Sequence, residues 1–212
     1  LPATLQLTGF ALLFSVLMAV PIGVITAVKK GTWVDTTGKL VALLGQSLPS
    51  FWLGIVLIWI FAVTLDWLPA AGRGGISHMI LPGVALGWYS VAAFMRVTRS
   101  AMLNVLDSEY VKFARMKGLS ENSVIWKHSF KNAAIPPLTL FGIIAGTMVT
   151  GFITIETVFA WPGLGRLIVE AINNNDFPVM TGGVMVFVVL YLTAVFLIDA
   201  TYAMVDPRIR YT

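Results

Sequence analysis

Residues 108–137 read SEYVKFARMKGLSENSVIWKHSFKNAAIPP and form the long polar passage of an otherwise apolar chain. Helical spacing places Tyr110, Phe113 and Ala114 on one face of this passage, apart from its charged residues. Gly118 is expected to end that helix, and a second short helix should follow it. The passage is therefore predicted to be two amphipathic helices joined by a glycine bend.

Composition indicates the environment of the chain. Of its 212 residues, 58% are hydrophobic and 11% are charged, and the mean hydropathy is +0.86. Globular proteins carry about 25% charged residues, so these values are typical of an integral membrane protein. The chain has no cysteine, which excludes disulfide bonds and thiolate metal sites.

Five stretches are apolar over roughly the 20 residues that a membrane-spanning helix requires. The third is uncharged only as far as Met95, so its helix is expected to continue past Arg96 and Arg99. The long side chains of these two arginines are expected to reach the lipid headgroups. In chain order, the predicted spans are residues 5–28, 40–65, 79 to beyond 99, 132–155 and 177–198.

The distribution of basic residues predicts the topology. If the first span begins outside, 12 of the 14 Lys and Arg residues lie on the inner side, all except Arg73 and Arg166. Because Lys and Arg accumulate in cytoplasmic loops, residues 108–137 and the C-terminus are predicted to be cytoplasmic. Topology thus explains the basic excess, and a nucleic-acid partner is not expected.

The motifs of an intramembrane enzyme are missing from the sequence. It contains no Gly-x-Ser-x-Gly turn, no His-Glu-x-x-His helix and no phosphate-binding loop. His78 and His128 are predicted on opposite sides of the membrane, so they cannot share a metal ion. We therefore expect no catalytic residue, metal site or cofactor. The length of residues 108–137 favours a docking surface for a soluble partner, the alternative being a helix that rests on the bilayer.

Five motifs are distributed along nearly the whole chain. They are LPATLQL at 1–7, QSLPSFWLG at 46–54, YVKFARMKGLS at 110–120, ETVFAWPGLG at 156–165 and DPRIRY at 206–211. This set resembles the permease subunits of bacterial binding-protein-dependent ABC importers, in the dipeptide, oligopeptide and nickel group with the MetI-like fold. The third motif resembles the cytoplasmic Glu-Ala-Ala motif of the superfamily, with Lys112-Phe113-Ala114 in place of those three residues.

The resemblance implies an all-α membrane protein in which residues 1–212 form the transmembrane domain and 108–137 the cytoplasmic coupling loop. The N-terminal span and external domain that precede this region in the family are expected to be absent here. The implied partners are a second permease subunit, two cytoplasmic ATPases that bind the ATP, and an extracytoplasmic solute-binding protein. The implied location is the bacterial inner membrane, with the start of the chain outside.

Three groups of residues are candidates for function under this resemblance. ATPase coupling is expected at Glu109, Tyr110, Lys112, Phe113, Ala114, Arg115, Lys117, Gly118 and Leu119. The translocation path is expected to include Ser47, Ser50, Thr147, Thr150 and Thr181. The external gate is expected at Glu156, Trp161, Pro162 and Gly163, with an interfacial anchor as the alternative.

The resemblance favours di- and oligopeptides as the solute, and the alternatives within the same importer class are nickel, glutathione and oligosaccharides. An autonomous channel or secondary transporter is the competing class. Such proteins normally carry intramembrane charges or interrupted helices with internal repeats, and neither is convincing in this sequence.

Overall fold

The regular elements of the described residues are all helices. The structure, a computed structural model, describes residues 1–205 without the side chains of residues 146, 147, 149–151 and 198–205. The α-helices in this part are α1 (Pro2–Val28), α2 (Trp33–Ser47), α3 (Ser50–Leu57), α4 (Ser77–Leu106), α5 (Glu109–Met116), α6 (Glu121–Ser123), α7 (Phe130–Ala133), α8 (Ile135–Val158), α9 (Leu164–Asn173) and α10 (Phe177–Val205). Segments of π-helix extend α3 over Ile58–Thr64 and link α6 to α7 over Val124–Ser129.

Within the residues that the structure describes in full, three helices are long and apolar enough to cross a membrane, namely α1, α4 and the Phe177–Leu197 part of α10. Helix α4 continues through both Arg96 and Arg99, which confirms the predicted extension of the third span. Helix α8 runs through most of the fourth predicted span. The total of five spans remains a prediction.

The second predicted span, residues 40–65, is interrupted. Pro49 has extended backbone (φ −60°, ψ 136°) and separates α2 from α3. Proline lacks the N–H that a helix interior needs, and its ring disfavours helical backbone at the preceding residue, here Leu48. Helices α2 and α3 count as a fourth membrane-crossing candidate only if both belong to one broken span.

The described chain divides into two compact units. The first comprises Leu1–Phe14, Leu48–Trp88 and the chain from Gly142 onward. Its core holds fully buried large side chains, and Phe152 and Phe187 meet edge to face with ring centroids 5.7 Å apart. The buried members of this core include Leu7, Phe152, Ile155, Phe159, Trp161 and Ile168.

The second unit comprises Ser15–Ser47 and Tyr89–Phe141. Small residues let its helices approach closely, because a Cβ added to Gly23 would lie 2.8 Å from the Thr98 Cβ. An apolar cluster of this unit joins the end of α1 to the end of α4 and to α7. Its buried members are Val24, Ala27, Ala101, Met102 and Ala133.

Candidate functional site

The inner face of helix α5 is fixed by apolar packing. Val111 and Ala114 are buried together with Val124, and Val105 and Leu106 at the end of α4 pack against them. We call these five residues the anchor cluster. Because the anchor cluster joins α5 to the helix before it and to the segment after it, α5 is held firmly within its unit.

The outer face of α5 is apolar and exposed. The exposed fractions are 44% for Tyr110, 59% for Phe113, 71% for Met116 and 41% for Leu119 beyond the bend. These four residues are called the α5 outer face below. The Tyr110 hydroxyl accepts a hydrogen bond from Nδ2 of Asn132 (2.9 Å). An ordered apolar face on an otherwise polar segment is typical of a docking surface.

Gly118 ends α5 as predicted. Its φ of +72° is left-handed, a region that favours glycine because it has no Cβ. The Gly118 N–H donates to Arg115 O (2.9 Å) and the Leu119 N–H donates to Ala114 O (3.4 Å). This pair of hydrogen bonds satisfies the last carbonyls of the helix in a Schellman motif and sets the direction of the following chain.

Ion pairs flank the α5 outer face. Lys112 Nζ lies 2.8 Å from Glu109 Oε1, and Arg115 Nη2 lies 2.7 Å from Glu121 Oε1 across the glycine bend. The hydrogen bond from Arg115 holds the pKa of the Glu121 carboxyl below its usual range, which favours the ionised form that pairs with Arg115. Lys117 is exposed. The charged residues therefore surround the apolar face without covering it.

The structure brings the predicted coupling residues together on this short segment, with one exception. Ala114 is 9% exposed and belongs to the anchor cluster, so it does not lie on the outer face as predicted. Its small side chain is buried with Val111 and Val124 on the inner face of α5. Met116 was missed, although its spacing of three from Phe113 on a helix was a sufficient signal.

A buried ionic cluster in the second unit was not predicted. The Asp35 side chain in the first turn of α2 is 2% exposed and receives two bonds from Arg99, Nε to Oδ1 at 2.8 Å and Nη2 to Oδ2 at 3.0 Å. Lys39 Nζ (2.8 Å) and the Gly31 N–H (3.1 Å) also donate to Oδ2. The expectation that Arg99 reaches the headgroups was therefore wrong, because its guanidinium binds a carboxylate that is distant in sequence.

Three of the four predicted gate residues lie together in the first unit. Glu156 and Trp161 are both fully buried, and Gly163 is buried beside them, whereas Pro162 is exposed. Trp161 Nε1 donates to Ala3 O (2.9 Å), which joins this loop to the start of α1. The Trp161 indole is therefore packed inside the first unit and is not exposed to lipid in this chain.

Glu156 is the centre of a hydrogen-bonded network. Its Oε1 accepts from Thr4 Oγ1 (2.7 Å), and its Oε2 accepts from the N–H groups of Gly165 (2.7 Å) and Arg166 (3.1 Å). The Leu164 N–H donates to Thr4 Oγ1 (2.9 Å). Because these N–H groups open α9, the carboxylate satisfies donors that have no partner inside that helix. The network fixes α9 to the ends of α1 and α8.

Gly163→Ala is expected to disrupt this network. A Cβ at Gly163 would overlap the Glu156 carboxylate, which three hydrogen bonds hold in place. We expect a loss of about 1–3 kcal/mol in stability, measured as a lower melting temperature in detergent. Gly182→Ala is the matched control, since a Cβ there meets nothing within 4 Å and alanine favours a helix. Equal melting temperatures for the two variants would contradict this description.

The structure describes the side chains of three of the five predicted path residues. Ser47 is exposed and its hydroxyl donates to Leu43 O (2.9 Å), Ser50 is half-buried, and Thr181 is exposed. Thr147 and Thr150 lie outside the described side chains. Among the side chains that the structure describes, no group of three or more His, Cys, Asp or Glu residues could hold a metal ion.

Comparison with known proteins identifies the family of this chain. Residues 19–211 match the family described as binding-protein-dependent transport system inner membrane component. The dipeptide transport system permease protein DppB of Alkalihalophilus pseudofirmus is 40% identical, over 100% of this chain and 72% of that protein. The glutathione transport system permease protein GsiC of Salmonella choleraesuis is also 40% identical, over 98% and 68% of the respective chains.

The fold agrees with solved transporter structures. The inward-facing MetNI methionine ABC transporter superposes with a TM-score of 0.76 at 19% identity, over 96% of this chain and 93% of that one. An amino acid ABC transporter with histidines gives a TM-score of 0.72 at 16% identity, over 97% and 92%. The chain therefore belongs to the family of binding-protein-dependent transport system inner membrane components, the permeases of ABC transporters.

Proposed function

We propose that this chain is the permease subunit of an ATP-driven, binding-protein-dependent importer of di- and oligopeptides. The observation that carries the proposal is the α5 outer face, an exposed apolar surface on an ordered helix. Family membership supports the importer class, and relatives named for dipeptide transport support the solute. A relative named for glutathione transport favours glutathione as the second candidate.

In this proposal α5 transmits movement from an ATPase to the permease. The outer face inserts into the ATPase, and the ion pairs around it form the polar rim of the contact. The anchor cluster joins α5 to Val105 and Leu106, so displacement of α5 carries the end of α4 with it. ATP-driven closure of the ATPases would thereby move the spans and expose the path to either side in turn.

The proposal includes the partners and the location. ATP binds to two cytoplasmic ATPase subunits, this chain holds no cofactor, and a second permease completes the membrane part. An extracytoplasmic binding protein delivers the solute at the inner membrane. The path residues Ser47, Ser50, Thr147, Thr150 and Thr181 and the external gate around Glu156 remain part of the proposal. The hydrogen bonds of Glu156 would hold this gate region rigidly against the start of α1.

Reconstitution tests the importer class directly. The permease pair and its ATPases are placed in proteoliposomes with the binding protein and radiolabelled dipeptide, glutathione or methionine. We expect ATP-dependent accumulation of the dipeptide, lost when the ATPases are omitted. Accumulation of solute by this chain alone would instead indicate a channel or secondary transporter.

The proposed topology predicts which side of the membrane each loop faces. Because the chain lacks cysteine, Lys117→Cys and Ile76→Cys each carry one thiol, and both positions are exposed. In intact cells, an impermeant maleimide should label Cys at position 76 and should label position 117 only after the membrane is opened. Labelling of position 117 in intact cells would contradict the predicted topology. It would place α5 outside the cell, where a cytoplasmic ATPase cannot bind it.

A further inference from the structure

Helix α4 has an unusual surface for a helix that is long and apolar enough to cross a membrane. Over its 30 residues the buried side is mostly apolar, with Ser90 and Thr98 as its buried polar residues, whereas its exposed residues are all polar. These exposed residues are Ser77, Tyr89, Arg96, Ser100 and Asn104. A helix side that faces lipid tails should show the opposite pattern.

Four of these residues form a single stripe. Arg96, Ser100 and Asn104 follow Tyr89 by 7, 11 and 15 residues, a spacing that keeps them on one helix face. We call these four residues the α4 stripe. All four belong to the second unit, and none of their side chains makes a hydrogen bond or ion pair with the part of the chain that the structure describes.

Helix α10 shows what a lipid-facing surface of this chain looks like. Its exposed large side chains are apolar and include Val184, Met185, Val189, Leu192 and Phe196. The same chain thus presents apolar residues on one span and polar residues on another. Because polar groups in the hydrocarbon region are costly, those residues of the α4 stripe that lie within it require an aqueous or protein environment.

Position along the helix places part of the stripe deep in the membrane. At 1.5 Å per residue, α4 is about 45 Å long and Tyr89 lies about 18 Å from its start. If α4 begins at one boundary of a hydrocarbon core about 30 Å thick, Tyr89 lies near the bilayer centre, Arg96 lies near the other boundary, and Ser100 and Asn104 lie beyond it. The side chain of Tyr89 is nevertheless 56% exposed.

Arg96 differs from its neighbour one turn later. Arg99 is neutralised by the buried Asp35 carboxylate, whereas Arg96 is exposed and has no acidic partner among the described side chains. Its positive charge is therefore available to a ligand. An arginine guanidinium binds a carboxylate in a bidentate manner, which makes it well suited to an anionic group that moves past it.

We propose that the α4 stripe lines the solute path and that Arg96 binds the carboxylate of the transported peptide. This inference rests on the proposed function. Dipeptides and glutathione, the solutes in the names of the two relatives, both carry a free carboxylate, and one arginine serves either. Tyr89 would contact the solute about 10 Å further along the helix, seven residues away.

Thiol labelling tests whether the stripe is aqueous. Tyr89→Cys and the control Val189→Cys, exposed on α10, are each made in the assembled importer, in which this chain then has one thiol. A charged methanethiosulfonate reagent is supplied on both sides of the membrane. We expect position 89 to react at least tenfold faster than position 189. Equally slow labelling would overturn the path assignment, because the stripe would then face lipid or pack against the second permease.

Uptake measurements test the role of Arg96. Arg96→Gln should lower ATP-driven dipeptide uptake at subsaturating peptide by about tenfold or more, the effect of losing a charged hydrogen bond. Arg96→Lys keeps the charge but loses the bidentate geometry, so its uptake should lie between that of Arg96→Gln and that of the unaltered importer. The control Lys30→Gln removes an exposed charge elsewhere and should be neutral. Normal uptake by Arg96→Gln would overturn the carboxylate assignment.

The two measurements also separate this inference from the proposed function. If the unaltered importer fails to accumulate dipeptide, the proposed function fails. Labelling at position 89 still decides whether the α4 stripe is aqueous, because that reaction requires no transport.

Discussion

Phe113→Glu is expected to reduce ATP-driven solute uptake to background while the chain still folds and inserts into the membrane. Phe113 is 59% exposed on the α5 outer face and takes no part in the anchor cluster. A charge placed there costs little in the free chain, since surface substitutions change stability by about 0.5 kcal/mol or less. In the complex with an ATPase, the same charge would be buried in an apolar contact without a partner. Uptake by reconstituted proteoliposomes measures the effect.

The matched control for this variant is Trp33→Glu. Trp33 is 77% exposed, lies on the same predicted side of the membrane and belongs to the same unit, but it is not on α5. We expect the control to retain most of the uptake and both variants to melt at the temperature of the unaltered chain. Normal uptake by Phe113→Glu would contradict the proposal that the α5 outer face contacts an ATPase.

Asp35→Asn is expected to cause the largest loss of stability. The carboxylate is buried and binds both Arg99 and Lys39, so removing its charge leaves a partly buried guanidinium without a counterion. Breaking such a pair from one side costs about 3–5 kcal/mol. Because Asp35 joins α2 to α4, the variant should also weaken the support of α5. Thermal unfolding in detergent should show a much lower melting temperature.

Glu109→Gln provides the comparison for Asp35→Asn. It breaks an ion pair of the same length, 2.8 Å to Lys112, but both side chains of that pair are exposed. Solvent screens exposed pairs, so the melting temperature should stay unchanged. Similar melting temperatures for both variants would mean that burial of the Asp35 cluster does not contribute to stability.

Local features of the fold were predictable from sequence. The helix at Glu109–Met116 and the left-handed turn at Gly118 follow from apolar spacing and from the conformational freedom of glycine. The extension of α4 past Arg96 follows from the length that a spanning helix requires, since the uncharged run ends at Met95. Each of these features depends on residues that are close in the sequence.

Features that depend on distant contacts were not predictable. Arg99 and Asp35 are 64 residues apart, and Glu156 and Thr4 are 152 residues apart. Neither pair has a local pattern, so sequence alone suggested a headgroup contact for Arg99 and did not indicate the contact of Glu156 with Thr4. The burial of Ala114 depends likewise on Val124, which packs against it from beyond the bend. A proline inside an apolar run is a local signal of an interruption, here at Pro49. The prediction of one continuous span over residues 40–65 relied on their length and hydropathy instead.

Crosslinking from position 113 tests the coupling role of α5 most directly. The single thiol of a Phe113→Cys variant is modified with a photoreactive maleimide in the assembled importer and then irradiated. We predict a product containing this chain and one ATPase subunit, with a yield that changes when ATP is added. The account would be contradicted if position 113 gave no ATPase product under conditions in which the same importer accumulates solute.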